Sequence, residues 1–410
     1  MSEGPLLTGA SAARARDALE QIGAALLAHA PEAGDPSLFT GTAGLAVFHA
    51  EAAALGVGDA AAHAERAGRL LEQSVESAGG ALRGWSLCAG LAGLAWALQT
   101  LDANIGDVDR DLDAVDEVLF EQVSKGALGP EFDLLYGIAG IGLYAASRPG
   151  SAGTALAGAV VDALAQNAQP QPVGLTWATP YALLPEEFRK FHVDGELDLG
   201  MAHGCAGVVV VLASILRAGL VPGAATLLEQ AVAWLLSQRL EPGAGGRFPG
   251  QVGPGLRPRA VRNAWCIGDP GVGWALLYAG RAASNEAWEA EGRATLRRAA
   301  ERPRADWGVV DAGVCHGAAG LALLYRCAFQ ATGDPACADA ARRWIDEALG
   351  LRRPGEPLAG FQSWDRERGW LNESGLLAGA AGVGLALASC LGERESAWDT
   401  CLGLAPCVPP

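Results

Sequence analysis

Gly317-Ala318-Ala319-Gly320-Leu321-Ala322-Leu323-Leu324-Tyr325 sets two glycines three apart, puts only small residues between them and runs straight into apolar ones. The same glycine spacing, followed directly by apolar residues, stands at Gly41/Gly44, Gly90/Gly93, Gly137/Gly140, Gly204/Gly207, Gly268/Gly271 and Gly379/Gly382, which makes seven copies. Their first glycines lie 49, 47, 67, 64, 49 and 62 residues apart, room for two helices and two connections in each repeat. After each pair the residues are small and apolar on every side, as from Val208 to Leu216, the pattern of a helix buried all round. Between the pairs the pattern changes. From Asp107 to Val123, Val108, Leu112, Val115, Val118, Leu119 and Val123 fall on one helical face and acids fill the other. From Ala224 to Leu240, Leu227, Leu228, Ala231, Val232, Leu235 and Leu236 do the same.

Seven buried helices alternating with seven half-exposed ones predict an all-α closed ring of hairpins, glycine-rich helices inside and amphipathic ones outside. An open solenoid, with the glycines as turn residues, is the other arrangement of such repeats. Glycine inside a helix costs about 1 kcal/mol relative to alanine, and close approach of the inner helices is the reason expected here. The repeats fill roughly residues 36–392 and leave no gap for an inserted domain, so one domain over 1–410 with short tails is expected. Loops are expected near Pro170–Pro185 and Pro242–Arg259.

Composition narrows the function. Half of the 410 residues are hydrophobic and the formal charge is −16, which argues against a nucleic-acid groove or an anionic membrane surface. Lys125 and Lys190 are the two lysines, so Schiff-base and P-loop chemistry have little to draw on. The opening residues show no basic segment followed by an apolar one, and a cytoplasmic protein is expected. Nine cysteines (88, 205, 266, 315, 327, 337, 390, 401 and 407) are an odd number scattered through the chain, a poor match to a disulfide framework. The uncharged residues 374–392 are long enough to cross a bilayer but only weakly apolar, and they read as a buried helix instead of a transmembrane segment.

Chemistry is expected where the repeats differ. The fifth has Cys266 two residues before its first glycine, and the sixth has Cys315-His316 directly before Gly317. Thiolate and imidazole are favoured zinc ligands, and two cysteines with one histidine leave a fourth position open, the pattern of a catalytic zinc. Either cysteine alone reads more simply as a buried core residue; their matching places favour the metal. The fourth repeat has His203 before Gly204, and the third has Asp133 four residues before Gly137, where an N-cap is the plainer reading. Arg262, four residues before Cys266, reads equally as a surface charge. The remaining histidines, 29, 49, 63 and 192, receive no role.

Four motifs together resemble the lanthionine synthetase C-like family, the cyclases of lanthipeptide biosynthesis. They are Asp133-Leu134-Leu135-Tyr136-Gly137-Ile138-Ala139-Gly140, Leu199-Gly200-Met201-Ala202-His203-Gly204, Arg262-Asn263-Ala264-Trp265-Cys266 and Cys315-His316-Gly317-Ala318-Ala319-Gly320. Thr176-Trp177-Ala178-Thr179-Pro180 also resembles the family. The resemblance implies an α/α toroid of seven inner and seven outer helices, a double-layered barrel. It implies a zinc ion held by Cys266, Cys315 and His316, with Asp133, His203 and Arg262 lining the pocket. It implies a dehydrated precursor peptide, leader plus core, as substrate, and a lanthipeptide dehydratase and transporter as partners. Nisin-type members resemble Cys-Tyr-Gly after the zinc cysteine, whereas this chain has Ile267, so no phenol acts from that place.

On this reading a peptide thiol adds to the β-carbon of a dehydroalanine or dehydrobutyrine in the same peptide and closes a thioether ring. Arg262 faces the developing enolate and His203 protonates the α-carbon, while Asp133 either orients that histidine or activates the thiol. Addition of a free thiol such as glutathione to dehydroamino acids, a non-catalytic peptide-binding scaffold and a zinc prenyltransferase are the rival readings. The last fits worst, because its ligand set resembles Asp/Cys/His.

Overall fold

The computed structural model describes residues 5–30, 34–105, 112–148, 150–184, 186–189, 195–392 and 397–404. Residues 107–111 of the first amphipathic stretch, Lys190, His192 and Cys407 lie outside them. The α-helices among the described residues are α1 (Gly9–Ala28), α2 (Thr42–Ala54), α3 (Ala60–Ala81), α4 (Leu91–Ile105), α5 (Leu112–Ser124), α6 (Ile138–Ser147), α7 (Gly150–Asn167), α8 (Glu186–Arg189), α9 (Cys205–Arg217), α10 (Ala224–Ser237), α11 (Asp269–Ala282), α12 (Glu286–Glu301), α13 (Ala318–Thr332), α14 (Pro335–Gly350) and α15 (Ala380–Leu391). Three antiparallel two-stranded pieces sit in the connections: β1 (Gln169–Pro170) with β2 (Leu175–Thr176), β3 (Leu197–Asp198) with β4 (Gln251–Val252), and β5 (Ser363–Asp365) with β6 (Gly369–Leu371).

Each first glycine of the seven pairs stands immediately before one of α2, α4, α6, α9, α11, α13 and α15. In α9, α11, α13 and α15 nearly every residue is buried, as the uniform apolar pattern predicts. Residues 380–391 of the uncharged stretch form the buried α15, and no helix among the described residues is long and apolar enough to cross a membrane.

The chain divides into two compact units. In the first, residues 1–84, 88–110 and 309–410, the inner helices follow one another as α13, α15, α2 and α4, each packed on the next. The last inner helix thus lies beside the first, the neighbourhood that a closed succession of repeats requires. Helices α3 and α14 pack outside α2 and α13, and α1 packs outside α15. Residues 9–28, expected to belong to a terminal tail, therefore supply the outer helix of the last hairpin. The long separation between α1 and α15 hides that pairing from a search along the chain. In the second unit, residues 85–87 and 111–308, α6, α9 and α11 pack in succession, with α7, α10 and α12 outside them and α5 beside α7.

In six of the seven pairs, Gly44, Gly140, Gly207, Gly271, Gly320 and Gly382, the second glycine answers to its own turn more than to a neighbouring helix. A Cβ on Gly320 would run into the carbonyl oxygen of Val314, and one on Gly382 into that of Leu376, six residues back in both cases. The turn folds so tightly under the helix that only hydrogen fits there. Helix α5 departs from its expected pattern as well: Asp116 is buried and Val118 exposed. Asp116 accepts the Tyr144 hydroxyl at 2.7 Å and the Arg148 Nε–H at 2.7 Å, so its inward charge is paired.

Candidate active site

The turns that precede the inner helices are joined by backbone hydrogen bonds at one register, two residues before the first glycine. In the first unit Cys315 N–H donates to Leu377 O at 2.8 Å, Leu377 N–H to Phe39 O at 3.1 Å, and Phe39 N–H to Cys88 O at 3.4 Å. In the second unit Ala202 N–H donates to Cys266 O at 3.1 Å at that register, and Leu134 N–H, three residues before its glycine, donates to Ala202 O at 3.2 Å. The two proposed ligand cysteines thus occupy equivalent places in their turns. Cys88 occupies the same place in the second repeat, an equivalence the sequence reading passed over. It is buried, whereas Cys266 and Cys315 are half-buried, so exposure separates the two candidates from their counterpart.

His203 and Asp133 come together although 70 residues separate them. The histidine Nδ1 lies 2.8 Å from Asp133 Oδ2, and Asp133 Oδ1 accepts the Tyr136 backbone N–H at 2.6 Å. The exposed Tyr136 ring stacks on the imidazole with planes 8° apart and centroids 5.9 Å apart. Tyr136 stands inside a quoted motif, but nothing in sequence spacing reveals that its ring covers His203. Burial alone would lower the His203 pKa; the Asp133 hydrogen bond and the charges of Asp133, Asp198 and Cys266 override it and raise the pKa to about 9. The ring is therefore cationic at neutral pH, with Nδ1–H donated to Asp133 and a second N–H at Nε2.

Beneath this turn lie Asp198 and Glu196, both buried. Asp198 Oδ1 accepts the Gly200 N–H at 2.5 Å, and burial lifts its carboxyl to about 6 despite that bond and the nearby histidine. Glu196 rises to about 7, through burial first and the Asp198 charge second, and Gln251 Nε2 donates to it at 3.3 Å. Neither acid was singled out from sequence, because a lone Asp or Glu near a short strand carries no motif.

The fifth turn has its own backbone. Gly268 takes φ +91°, whereas the first glycines of the third, fourth, sixth and seventh pairs lie between −99° and −128°. Only glycine adopts that conformation readily. Arg262 is exposed, and a Cβ on Gly308 would meet its Cβ at 2.6 Å, so the bare Gly308 backbone walls its stem. Trp177, from the fifth quoted stretch, is structural: it is buried and its Nε1–H donates to Leu164 O at 2.8 Å.

In the sixth turn His316 Nε2 lies 3.5 Å from Oδ2 of the buried Asp311. Burial would raise the Asp311 carboxyl, but His316 and the Trp364 and Gly313 amides hold it below the usual carboxylate range. Among the described residues no three His, Cys, Asp or Glu side chains are gathered as a group able to hold a metal. The donor chemistry suits zinc: two partly exposed thiols, and an imidazole with one nitrogen on a carboxylate.

Residues 32–402 match the family described as lanthionine synthetase C-like protein. The chain belongs to the lanthionine synthetase C-like family. Among solved structures the family member matches nisin cyclase with a TM-score of 0.74 at 20% identity, covering 91% of this chain and 93% of that one. A sugar epimerase from a ruminal bacterium aligns at 10% identity over 85% of this chain and 86% of that one, with a TM-score of 0.42, too slight a likeness to bear on function. No curated protein matches in sequence. The fold of this lanthionine synthetase C-like protein is the α/α toroid expected from its motifs.

Proposed function

We propose that the chain is a zinc-dependent lanthipeptide cyclase that forms carbon–sulfur bonds within a dehydrated precursor peptide. The observation that carries this reading is the His203–Asp133 pair, a charged proton donor held at 2.8 Å within a lanthionine synthetase C-like chain. Cys266, Cys315 and His316 would hold the zinc, with the open position of a two-cysteine, one-histidine set left for the substrate. When bound, the metal supplies a Lewis acid that lowers the pKa of a substrate thiol from about 8.5.

The peptide thiol gives up its proton to solvent and its sulfur forms a bond to the β-carbon of a dehydroalanine or dehydrobutyrine. The alkene pair moves toward the carbonyl oxygen, where Arg262 offsets the developing charge. His203 then delivers its Nε2 proton to the α-carbon and recovers one from solvent, so the product is an isomer of the substrate. Asp133 fixes the imidazole through Nδ1 and keeps it charged until that transfer. Ile267 adds no proton donor, and the Tyr136 ring stacks on the His203 imidazole. A leader segment of the precursor binds outside this pocket, and a dehydratase supplies the alkenes, with a transporter as the onward partner. The protein works in the cytoplasm.

Incubation with a dehydrated precursor tests the reading: free thiol should disappear with no change in peptide mass. A mass gain equal to an added thiol would favour the glutathione-type addition instead, and tight binding without thiol loss would favour a peptide scaffold.

A further inference from the structure

The repeats share a second device besides the glycine pair. Six residues before the first glycine stand Asp35, Asp198 and Asp311 in the first, fourth and sixth repeats. In each, Oδ1 accepts the backbone N–H two residues on: Ser37 at 3.0 Å, Gly200 at 2.5 Å and Gly313 at 3.0 Å. Such an aspartate turn fixes the carboxylate rigidly and leaves Oδ2 for another partner. In the first repeat that partner is the residue just before the glycine, with Thr40 Oγ1 donating to Asp35 Oδ2 at 2.8 Å. In the sixth repeat the residue at that place is His316, and its Nε2 lies 3.5 Å from Asp311 Oδ2. The fourth repeat breaks the pattern, because the Nδ1 of His203 is turned to Asp133 instead.

Asp311 is held more firmly than its counterparts. It is 2% exposed, and Oδ2 also accepts the Trp364 backbone N–H at 2.8 Å from strand β5. The β5–β6 hairpin therefore pins the oxygen that His316 faces. Cross-strand Trp364 and Trp370 pack edge to face at 5.1 Å, and the Arg353 guanidinium lies 4.5 Å from the Trp370 centroid, which stiffens the hairpin.

We propose that Asp311 is a positioning residue for His316: by accepting Nε2–H it fixes the ring orientation and tautomer and presents the Nδ1 lone pair as the metal donor. The inference rests on the zinc reading given above. A histidine with its distal N–H on a carboxylate is a stronger and better oriented ligand, and loss of that partner commonly weakens metal binding by about 10- to 100-fold. The repeat symmetry supplies a control that ordinary mutagenesis lacks. Asp35 builds the same turn but orients a threonine that is no ligand.

Zinc affinity of the full chain is measured by competition with a chromophoric chelator for the wild type, Asp311→Asn and Asp35→Asn. The proposal expects Asp311→Asn to bind about 10- to 100-fold more weakly and Asp35→Asn to match the wild type. A second readout needs neither metal nor turnover: nitrogen NMR of the metal-free protein should show His316 protonated at Nε2 in the wild type and a tautomer mixture in Asp311→Asn. Unchanged affinity and tautomer in Asp311→Asn would overturn the proposal. Equal losses in both variants would assign the effect to turn stability and overturn it too. A wild type that binds no zinc would remove the underlying zinc reading, while the tautomer would still decide whether Asp311 sets the ring.

Discussion

His203 illustrates what one contact does to a side chain's chemistry. Free imidazole titrates near 6.5, but beside Asp133 the ring titrates at about 9 and stays charged through the neutral range. If the charged ring is the proton donor, ring formation should fall as pH rises through about 9, and Asp133→Asn should shift that fall to lower pH. A pH–rate profile of both proteins on a dehydrated precursor checks the sign. His203→Ala should slow product formation by about 10²- to 10⁴-fold with the fold intact by circular dichroism; unchanged turnover would remove it from the mechanism. Arg262→Ala should cost about 10²- to 10³-fold in kcat, since a charge-stabilising donor acts only as the enolate develops. His203 and Asp133 were legible in the sequence because each stands out at its repeat's turn. The Tyr136 ring, the Asp198 and Glu196 carboxyls beneath the turn and the Asp311 contact were not, since each depends on which way a side chain points after the turn has formed.

At the scale of the elements, the glycine pairs announced seven inner helices, and the structure places a helix after every one. The reason for the second glycine was not legible: it answers to a carbonyl in its own turn, which spacing does not reveal. Gly320→Ala should accordingly destabilise the protein by about 1–3 kcal/mol, the range for overpacking. Gly68→Ala, in helix α3 with nothing within 4 Å of the added carbon, should stabilise it by up to about 1 kcal/mol. Chemical denaturation of the two variants against the wild type measures both signs. Helices α2 and α3 are joined by a buried pair, His49 and His63, with Nδ1 atoms 2.7 Å apart. Burial first, and the neighbouring His63 and Arg66 next, lower the His49 pKa to about 3. The unfolded chain therefore takes up this proton first, and the pair's contribution to stability is complete above about 6.5 and lost as pH falls toward 3. The loss of stability on acidification should be smaller in His49→Gln than in the wild type, measured as denaturation midpoints across that range. An equal loss in both would place the acid sensitivity elsewhere. Sequence gave these histidines no role because one histidine on an apolar face looks like any other until its partner is known.

For the whole molecule, the ordering of repeats was legible because seven copies of one turn impose one register, and the backbone ladder through Phe39, Cys88, Leu377 and Cys315 keeps it. What the repeat pattern concealed was the role of α1, since the helix that covers α15 comes from the opposite end of the chain. The same register gives meaning to the candidate ligands, which hold equivalent turn positions and differ from Cys88 in being reachable from solvent. The account stands on those thiols sharing one ion with His316. Zinc per chain, determined by elemental analysis on the wild type, Cys266→Ala and Cys315→Ala, asks this directly. One equivalent in the wild type and none in either variant is the predicted result; metal retained by both variants would contradict it.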